Sequence, residues 1–142
     1  MQNSKENSID QAISAAGVVA VVGFSANADR PVWGVSQYLQ AAGLRIIPVN
    51  PGLAGQVLMG EKVYASLSEI PAEIPVDTVD VFRRSDQVPA IAAEAIAHLP
   101  HLRTLWLQMG VTSPEARALS EEKGVIFVED RCLKVEHRLR AA

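Results

Sequence analysis

Residues 18–35 read VVAVVGFSANADRPVWGV, and the architecture of the chain can be worked out from them. The first five residues are small or β-branched with no polar alternation, which is typical of a strand buried on both faces of a parallel sheet. Gly23 ends this strand, and Pro31 opens a helix whose apolar residues recur every three or four positions until Gly43. The stretch therefore predicts a strand, a loop and a helix.

The rest of the chain repeats this alternation. Further strands are predicted at 44–49, 62–65, 76–82, 104–107 and 125–128, and further helices at 85–99, 114–123 and 133–139. Ser85 is expected to cap the helix that follows it. Because parallel strands need helical, right-handed crossovers, we predict an α/β fold, a doubly wound parallel sheet of about five strands with helices on both faces in three αβα layers.

Length and composition indicate an ordinary globular domain. The chain has 142 residues, 49% of them apolar and 20% charged, and we expect a single domain over 1–142 with an N-terminal helix or extension over 1–15. No apolar run approaches the roughly 20 residues of a membrane span, and residues 1–10 lack a secretory signal. Cys132 is the sole cysteine, which excludes an internal disulfide. We therefore expect a cytoplasmic protein with no membrane partner.

The charge distribution argues against nucleic-acid binding. The formal net charge is −3, whereas a phosphate-backbone footprint requires an excess of basic residues. Residues 131–140 are locally basic, with four Lys or Arg against Glu136. This tail is either a solvated helix end or a site for an anion or a partner. A homodimer or an unidentified protein partner is also compatible with the sequence.

The loop from Gly23 to Pro31 is the first candidate binding site. In a doubly wound sheet, ligands bind beyond the carboxyl ends of the strands, where the strand order reverses. This loop leads into a helix N-terminus, which favours anions. Gly23 would let a phosphate approach the backbone, while Ser25 offers a hydroxyl and Arg30 a positive charge. Alternatively, Gly23 only makes a tight turn and Arg30 only pairs with Asp29.

The common nucleotide motifs are missing. Ser25 and Ala28 occupy the second and third glycine positions of the dinucleotide fingerprint, and Asn50 replaces the acidic residue that would hold a ribose. No Gly-Lys-Ser/Thr sequence follows any strand, so a P-loop is excluded. NAD is therefore disfavoured.

Catalytic groups are scarce. His98 and His101 are expected at the sheet edge opposite the site, and no cluster has metal-ligand spacing. Asp77 and Asp80 frame a strand and are interpreted as capping or hydrogen-bonding residues. Cys132 is either a thiol activated by Arg131 or, as we favour, an inert packed cysteine. We predict no catalytic residue and no metal site.

Two further loops carry candidate contacts. Arg83 and Arg84 follow a strand directly and either reach a second phosphate or a purine, or pair with Asp80 or Asp86. After the next strand, Gln108 supplies a donor and an acceptor, and Gly110 allows close approach.

Several of these segments together resemble the small stand-alone CoA-binding proteins, which are similar to the nucleotide-binding domain of the succinyl-CoA synthetase α subunit. The resemblance covers about residues 16–139. It rests on the order and spacing of VGFS (22–25), DRP (29–31), IPVNP (47–51), VYASL (63–67), DVFR (80–83), WLQMG (106–110) and DRC (130–132).

The resemblance implies a Rossmann-like fold with CoA across the carboxyl ends of the strands. With the phosphate-ready loop and the scarcity of acid–base groups, it leads us to expect a non-catalytic protein that binds CoA or acyl-CoA. One alternative is an enzyme that uses Cys132 or a partner subunit, either an NAD(P)-type nucleotide-dependent oxidoreductase or a CoA-transferring enzyme component. A second alternative is a dimeric scaffold without a tight ligand. By position, the implied CoA contacts are Gly23, Phe24, Ser25, Arg30 and Pro31 at the phosphates, Asn50 and Pro51 at the ribose or adenine, Val81, Phe82 and Arg83 on the facing wall, and Gln108 and Gly110 beside the pantetheine arm.

Overall fold

A computed structural model describes residues 4–141, in which helices and strands alternate along the chain. The helices are α1 (Ser4–Ala15), α2 (Pro31–Ala41), α3 (Val88–His98), α4 (Pro114–Glu122) and α5 (Leu133–Arg140). The strands are β1 (Val18–Val22), β2 (Arg45–Val49), β3 (Val57–Leu58), β4 (Glu61–Lys62), β5 (Thr78–Val81), β6 (Thr104–Leu107) and β7 (Ile126–Val128).

Five strands form one parallel sheet in the order β2-β1-β5-β6-β7. Successive side chains of its strands point to opposite faces of the sheet, and each face packs in its own hydrophobic core. Ala20 and Val22 of β1 pack in the core with α3 and α4, whereas Val19 and Val21 pack in the other core with α1, α2 and α5. The predicted doubly wound, three-layer Rossmann-like fold is therefore confirmed.

The strand order reverses at β1. Its neighbours β2 and β5 lie on opposite sides. The connection that leaves β1 therefore runs towards β2, whereas the connection that leaves β5 runs the other way, towards β6. A crevice is expected there, beyond the carboxyl ends of the strands.

Residues 62–65 do not form a further strand of the main sheet, so that prediction was wrong. Instead, β3 and β4 form a separate antiparallel pair, and Tyr64 makes a single parallel bridge to Val49. Met59 and Gly60 both have positive φ, 56° and 73°, as a tight two-residue hairpin turn requires. The sequence does not predict this turn, because the usual signal for it is Asn-Gly or Asp-Gly and here the pair is Met59-Gly60.

Ser85 does not cap α3 as predicted. A 3-10 turn over Ser85–Gln87 precedes that helix, and the Ser85 hydroxyl accepts a hydrogen bond from the Thr112 N–H at 3.0 Å. Ser85 thus ties the connection after β5 to the connection after β6.

The basic tail is partly an ion-pair network between α5 and α1. The Arg140 guanidinium donates to Glu6 at 2.9 Å, to Asp10 at 2.6 Å and to Glu136 at 2.8 Å. These contacts anchor α1 and neutralise much of the charge that the sequence concentrates in residues 131–140. Within the described range 4–141, no helix combines the length and apolar character needed to cross a membrane.

Candidate functional site at the carboxyl edge of the sheet

Two clefts open where β1, β2, β5 and β6 end. The larger, about 470 Å³, lies between the start of α2 and the residues after β5 and β6, and the smaller, about 150 Å³, lies between the ends of β1 and β2 and helix α3. Arg83 lines both clefts. Gly23 lines the smaller cleft and Pro31 the larger, so the loop predicted to bind phosphate runs from one cleft to the other.

Gly23 is required by its surroundings. Its φ is +86°, which side-chain-bearing residues rarely adopt, and a β-carbon there would lie 2.7 Å from the Phe82 carbonyl oxygen and 3.0 Å from Cδ of Arg83. Its N–H donates to the carbonyl oxygen of Val49 at 3.1 Å. Because Gly23 has no side chain, the chain that follows β5 can pack directly against it. This packing brings Arg83 against the β1–α2 loop.

Short side chains fold the β1–α2 loop. The Ser25 hydroxyl accepts from the Asn27 N–H at 3.1 Å, and the Asn27 side chain accepts from the Asp29 N–H at 2.9 Å. The N-cap residue of α2, Arg30, makes no side-chain capping hydrogen bond within the described residues. Among the residues that the structure describes, none accepts a hydrogen bond from the N–H groups of Ser25, Ala26 and Ala28. The loop thus has accessible N–H donors with no partner in the described chain beside a positive helix end, a combination that suits an anion.

Two arginines at this edge are unpaired. Arg30 and Arg83 are exposed, and neither forms an ion pair with a carboxylate of residues 4–141. Arg84 instead makes the loop ion pair with Asp86, at 3.5 Å. The sequence left two alternatives for these arginines, a ligand contact or an ion pair with Asp80 or Asp86. Arg84 forms the ion pair with Asp86, and Arg83 is available to a ligand.

Three of the predicted contacts support the loops from inside. Phe24 is fully buried, its N–H donates to the Val49 carbonyl at 3.2 Å, and its carbonyl accepts from Asn50 Nδ2 at 2.6 Å. Asn50 Oδ1 accepts from the Gly52 N–H at 2.8 Å, so both ends of this amide are occupied. Val81 is fully buried in the core under α3. These side chains set the positions of the loops and do not line either cleft.

The other predicted contacts lie at the clefts or on the loop between them. Phe82, Gln108 and Gly110 line the larger cleft, and Pro51 lines the smaller one. Ser25 and Arg30 lie on the loop itself. Met109, between Gln108 and Gly110, also lines the larger cleft. Sequence reasoning missed two further lining residues, Val35 and Val111, because their apolar side chains carry no signal that separates a cleft wall from a core.

Asp80 is the most unusual group near the site. It is fully buried in β5, its Oδ1 accepts from Gln108 Nε2 at 2.7 Å, and its Oδ2 has no hydrogen-bond partner in the described part of the chain. Burial raises the pKa of Asp80 to about 7, and the hydrogen bond from Gln108 opposes that rise.

Asp77 behaves as the sequence predicts, because its carboxylate accepts from the N–H groups of Gly17 and Val18 at 3.0 and 2.9 Å. Asp80 accepts a hydrogen bond from Gln108, as the hydrogen-bonding interpretation predicts, but its complete burial was not expected. The available signal was an acidic residue between valines in a strand that is buried on both faces.

The remaining reactive side chains lie mostly elsewhere. His98 ends α3, His101 lines a cavity at the opposite edge of the sheet, and His137 shares a 2.9 Å hydrogen bond with the Tyr38 hydroxyl. Cys132 is partly buried and lines the larger cleft. No group of three or more potential metal ligands occurs within residues 4–141.

Comparisons with known proteins support the sequence resemblance. The sequence model of the family described as CoA binding domain matches residues 17–138. Protein YneT of Bacillus subtilis is 39% identical over 137 residues, which span 96% of this chain and 97% of that protein.

The fold also matches solved structures. A Thermus thermophilus protein superposes with a TM-score of 0.85 at 36% identity, over 97% of this chain and 98% of that one. Acetyl-coenzyme A synthetase 1 of Ca. Korarchaeum cryptofilum superposes with a TM-score of 0.66 at 20% identity, over 84% of this chain and 27% of the synthetase. At that identity the likeness is one of fold alone.

Proposed function

Because the chain belongs to the CoA binding domain family, we propose that it is a non-catalytic protein that binds CoA or acyl-CoA along the carboxyl edge of the sheet. The observation that carries the proposal is the position of Arg83. The Arg83 side chain lies against the β1–α2 loop at its Cδ, lines both clefts and has no carboxylate partner among residues 4–141. One cation there can bind a central diphosphate while the two ends of an elongated ligand extend into separate clefts.

The phosphates are assigned to the loop from Gly23 to Pro31. The unpaired N–H groups of this loop, the N-terminus of α2 and Arg30 supply donors and positive potential. The adenosine end is assigned to the smaller cleft beside Pro51, and the pantetheine arm to the larger one. Apolar side chains dominate the larger cleft, which suits an uncharged arm with an acyl group.

The absence of catalysis is part of the proposal. The three histidines lie away from the clefts, and Asp80 is sealed from them by burial. We expect acetyl-CoA to be bound and released unchanged. Incubation with the protein, followed by measurement of free thiol, should show no thioester cleavage above the buffer rate.

A ligand panel tests the binding proposal. CoA, acetyl-CoA, dephospho-CoA, NAD and NADP are compared by thermal shift, with calorimetry for those that respond. CoA at 100 times its Kd should stabilise the fold by about 2.7 kcal/mol, which corresponds to a rise of about 5–10 °C in Tm. A shift with NAD and none with CoA would contradict the proposal.

A second candidate is a CoA-transferring component, which the position of Cys132 in the wall of the larger cleft favours. In that case the Cys132 thiolate attacks the thioester carbonyl of acetyl-CoA, the bond from that carbonyl to the CoA sulfur breaks, and CoA leaves as its thiolate, which takes a proton from water, while the acetyl group stays on the cysteine. Mass spectrometry should then detect one acetyl group on the wild-type protein and none on Cys132→Ser. An unmodified wild-type protein leaves the non-catalytic proposal as the better one.

A further inference from the structure

We infer that Asp80 fixes the orientation of the Gln108 side-chain amide, so that Gln108 Oε1 accepts a hydrogen bond from an amide N–H of the pantetheine arm. This inference rests on the proposed function and assigns a specificity-determining role to Gln108 and a positioning role to Asp80.

Gln108 connects a buried carboxyl group to the larger cleft. Asp80 lies in the centre of the sheet and is fully buried, whereas Gln108 follows β6 directly, is 5% exposed and lines the cleft. A single 2.7 Å hydrogen bond, from Gln108 Nε2 to Asp80 Oδ1, joins them. The amide therefore has one end fixed inside the protein and the other directed to the site.

The chemistry of Asp80 determines which end faces inward. Above its pKa of about 7 the Asp80 carboxyl is ionised and only accepts hydrogen bonds, so it holds the Nε2 end of the amide and leaves Oε1 on the cleft side. Reversal of the amide would place two oxygens in contact and remove the hydrogen bond to Asp80. Asp80 Oδ2 has no partner among residues 4–141, so no second donor would compensate for that loss.

The composition of the cleft makes this acceptor selective. Among the side chains that line it, Gln108 alone carries an oxygen. The neighbouring groups are apolar, apart from Arg83 and Arg84, which only donate, and Cys132. A neutral acceptor in an apolar wall favours a neutral N–H group and disfavours phosphate oxygens, which are acceptors themselves. The pantetheine arm has such N–H groups, so Gln108 would also favour one direction of CoA along the sheet edge.

Two ligands and three variants test this inference by calorimetry at pH 8, where Asp80 is mostly ionised. CoA contains the arm, whereas adenosine 3′,5′-bisphosphate lacks it. Gln108→Met should weaken CoA binding by about 5- to 30-fold, the equivalent of one hydrogen bond of about 1–2 kcal/mol, and leave the bisphosphate within about twofold. Asp80→Asn should weaken CoA binding by about 2- to 10-fold, because an asparagine side chain at this position can donate to Oε1 and so permits both amide orientations. Gln11→Met, on an exposed position of α1, is the control.

The outcomes separate the inference from the proposed function. Unchanged CoA affinity in Gln108→Met, or an equal loss for both ligands, would overturn the inference while CoA binding stands. A wild-type protein that binds neither ligand would overturn both.

If Asp80→Asn does not fold, NMR on the wild-type protein tests its role. The side-chain amide signals of Gln108 should then follow the titration of Asp80. Signals that do not respond to this titration would rule out orientation by Asp80.

Discussion

A β-carbon on Gly23 would lie 2.7 Å from the carbonyl oxygen of Phe82, closer than real β-carbons approach a backbone oxygen. The two connections that leave the sheet at the strand-order reversal therefore touch at a residue without a side chain. Arg83 follows Phe82, and its Cδ would lie only 3.0 Å from the same β-carbon. The contact between Gly23 and Phe82 therefore determines the distance between Arg83 and the β1–α2 loop, to which we assign the phosphates.

Gly23→Ala should destabilise the fold. Alanine is strained at a φ of +86°, and its methyl group would push against backbone that cannot turn away. Together these effects should lower the free energy of unfolding by about 2–4 kcal/mol, or Tm by about 5–15 °C, in a thermal melt. Gly34→Ala is the matched control, because Gly34 lies in α2 with open space around it, and this change should stabilise by about 1 kcal/mol. Equal melting of Gly23→Ala and the wild type would refute the steric argument.

Much of the fold could be predicted because its signals are local. The apolar run of β1, Pro31 at the start of α2 and the glycines after the helices each depend on a few neighbouring residues. The right-handed crossover rule then limits how such units assemble. The hairpin of β3 and β4 escaped prediction because Met59 adopts a left-handed conformation that its side chain does not favour.

The site was less predictable because it depends on contacts between distant residues. Phe24 and Asn50 stand in the segments that the family resemblance implicates, yet their polar groups bond to each other across the loops. The hydrogen bond between Asp80 and Gln108 joins positions 28 residues apart and depends on the alignment of β5 with β6. Local patterns carry no information on that alignment.

Ser25→Asp should weaken CoA binding by about 10-fold or more. An aspartate can still accept from the Asn27 N–H and keep the loop folded, but it places a negative charge beside the assigned phosphate site. Ser25→Asn keeps the acceptor without the charge and should remain within about threefold of the wild type. The difference between the two variants should shrink as salt is added, because the repulsion is screened. Equal affinities in calorimetry at low salt would place the phosphates elsewhere.

Arg83→Gln should weaken CoA binding far more than Arg84→Gln. Arg83 lines both clefts and has no carboxylate partner among residues 4–141, so its charge is available to the diphosphate. Loss of charged hydrogen bonds of about 1.5–3 kcal/mol corresponds to about a 10- to 100-fold increase in Kd. The Arg84 side chain is 82% exposed and pairs with Asp86, so its removal should change Kd by about threefold at most. A larger effect at Arg84 than at Arg83 would move the diphosphate away from the junction of the two clefts.

Asp80→Asn should stabilise the protein at high pH. The pKa of Asp80 is about 7 in the folded chain against 3.8 for an ordinary aspartate, so between these values the folded chain binds more protons than the unfolded chain. The free energy of unfolding of the wild type therefore falls as pH rises from about 4 to 7. The full effect is about 4 kcal/mol, since each pKa unit corresponds to about 1.4 kcal/mol.

Asparagine has no such titration, so Asp80→Asn should gain stability relative to the wild type across this window and hold a constant advantage above pH 8. Urea unfolding at pH 4, 6 and 8 measures the difference directly. Asp29→Asn, an exposed change of the same chemistry, should track the wild type at each pH. These two results together would identify the Asp80 carboxyl group as the source of the pH dependence. Its ionisation in the folded chain is costly because the charge is buried and Oδ2 has no hydrogen-bond donor in the described chain. A difference between Asp80→Asn and the wild type that stays constant from pH 4 to 8 would show that Asp80 ionises in the folded chain as it does in the unfolded one.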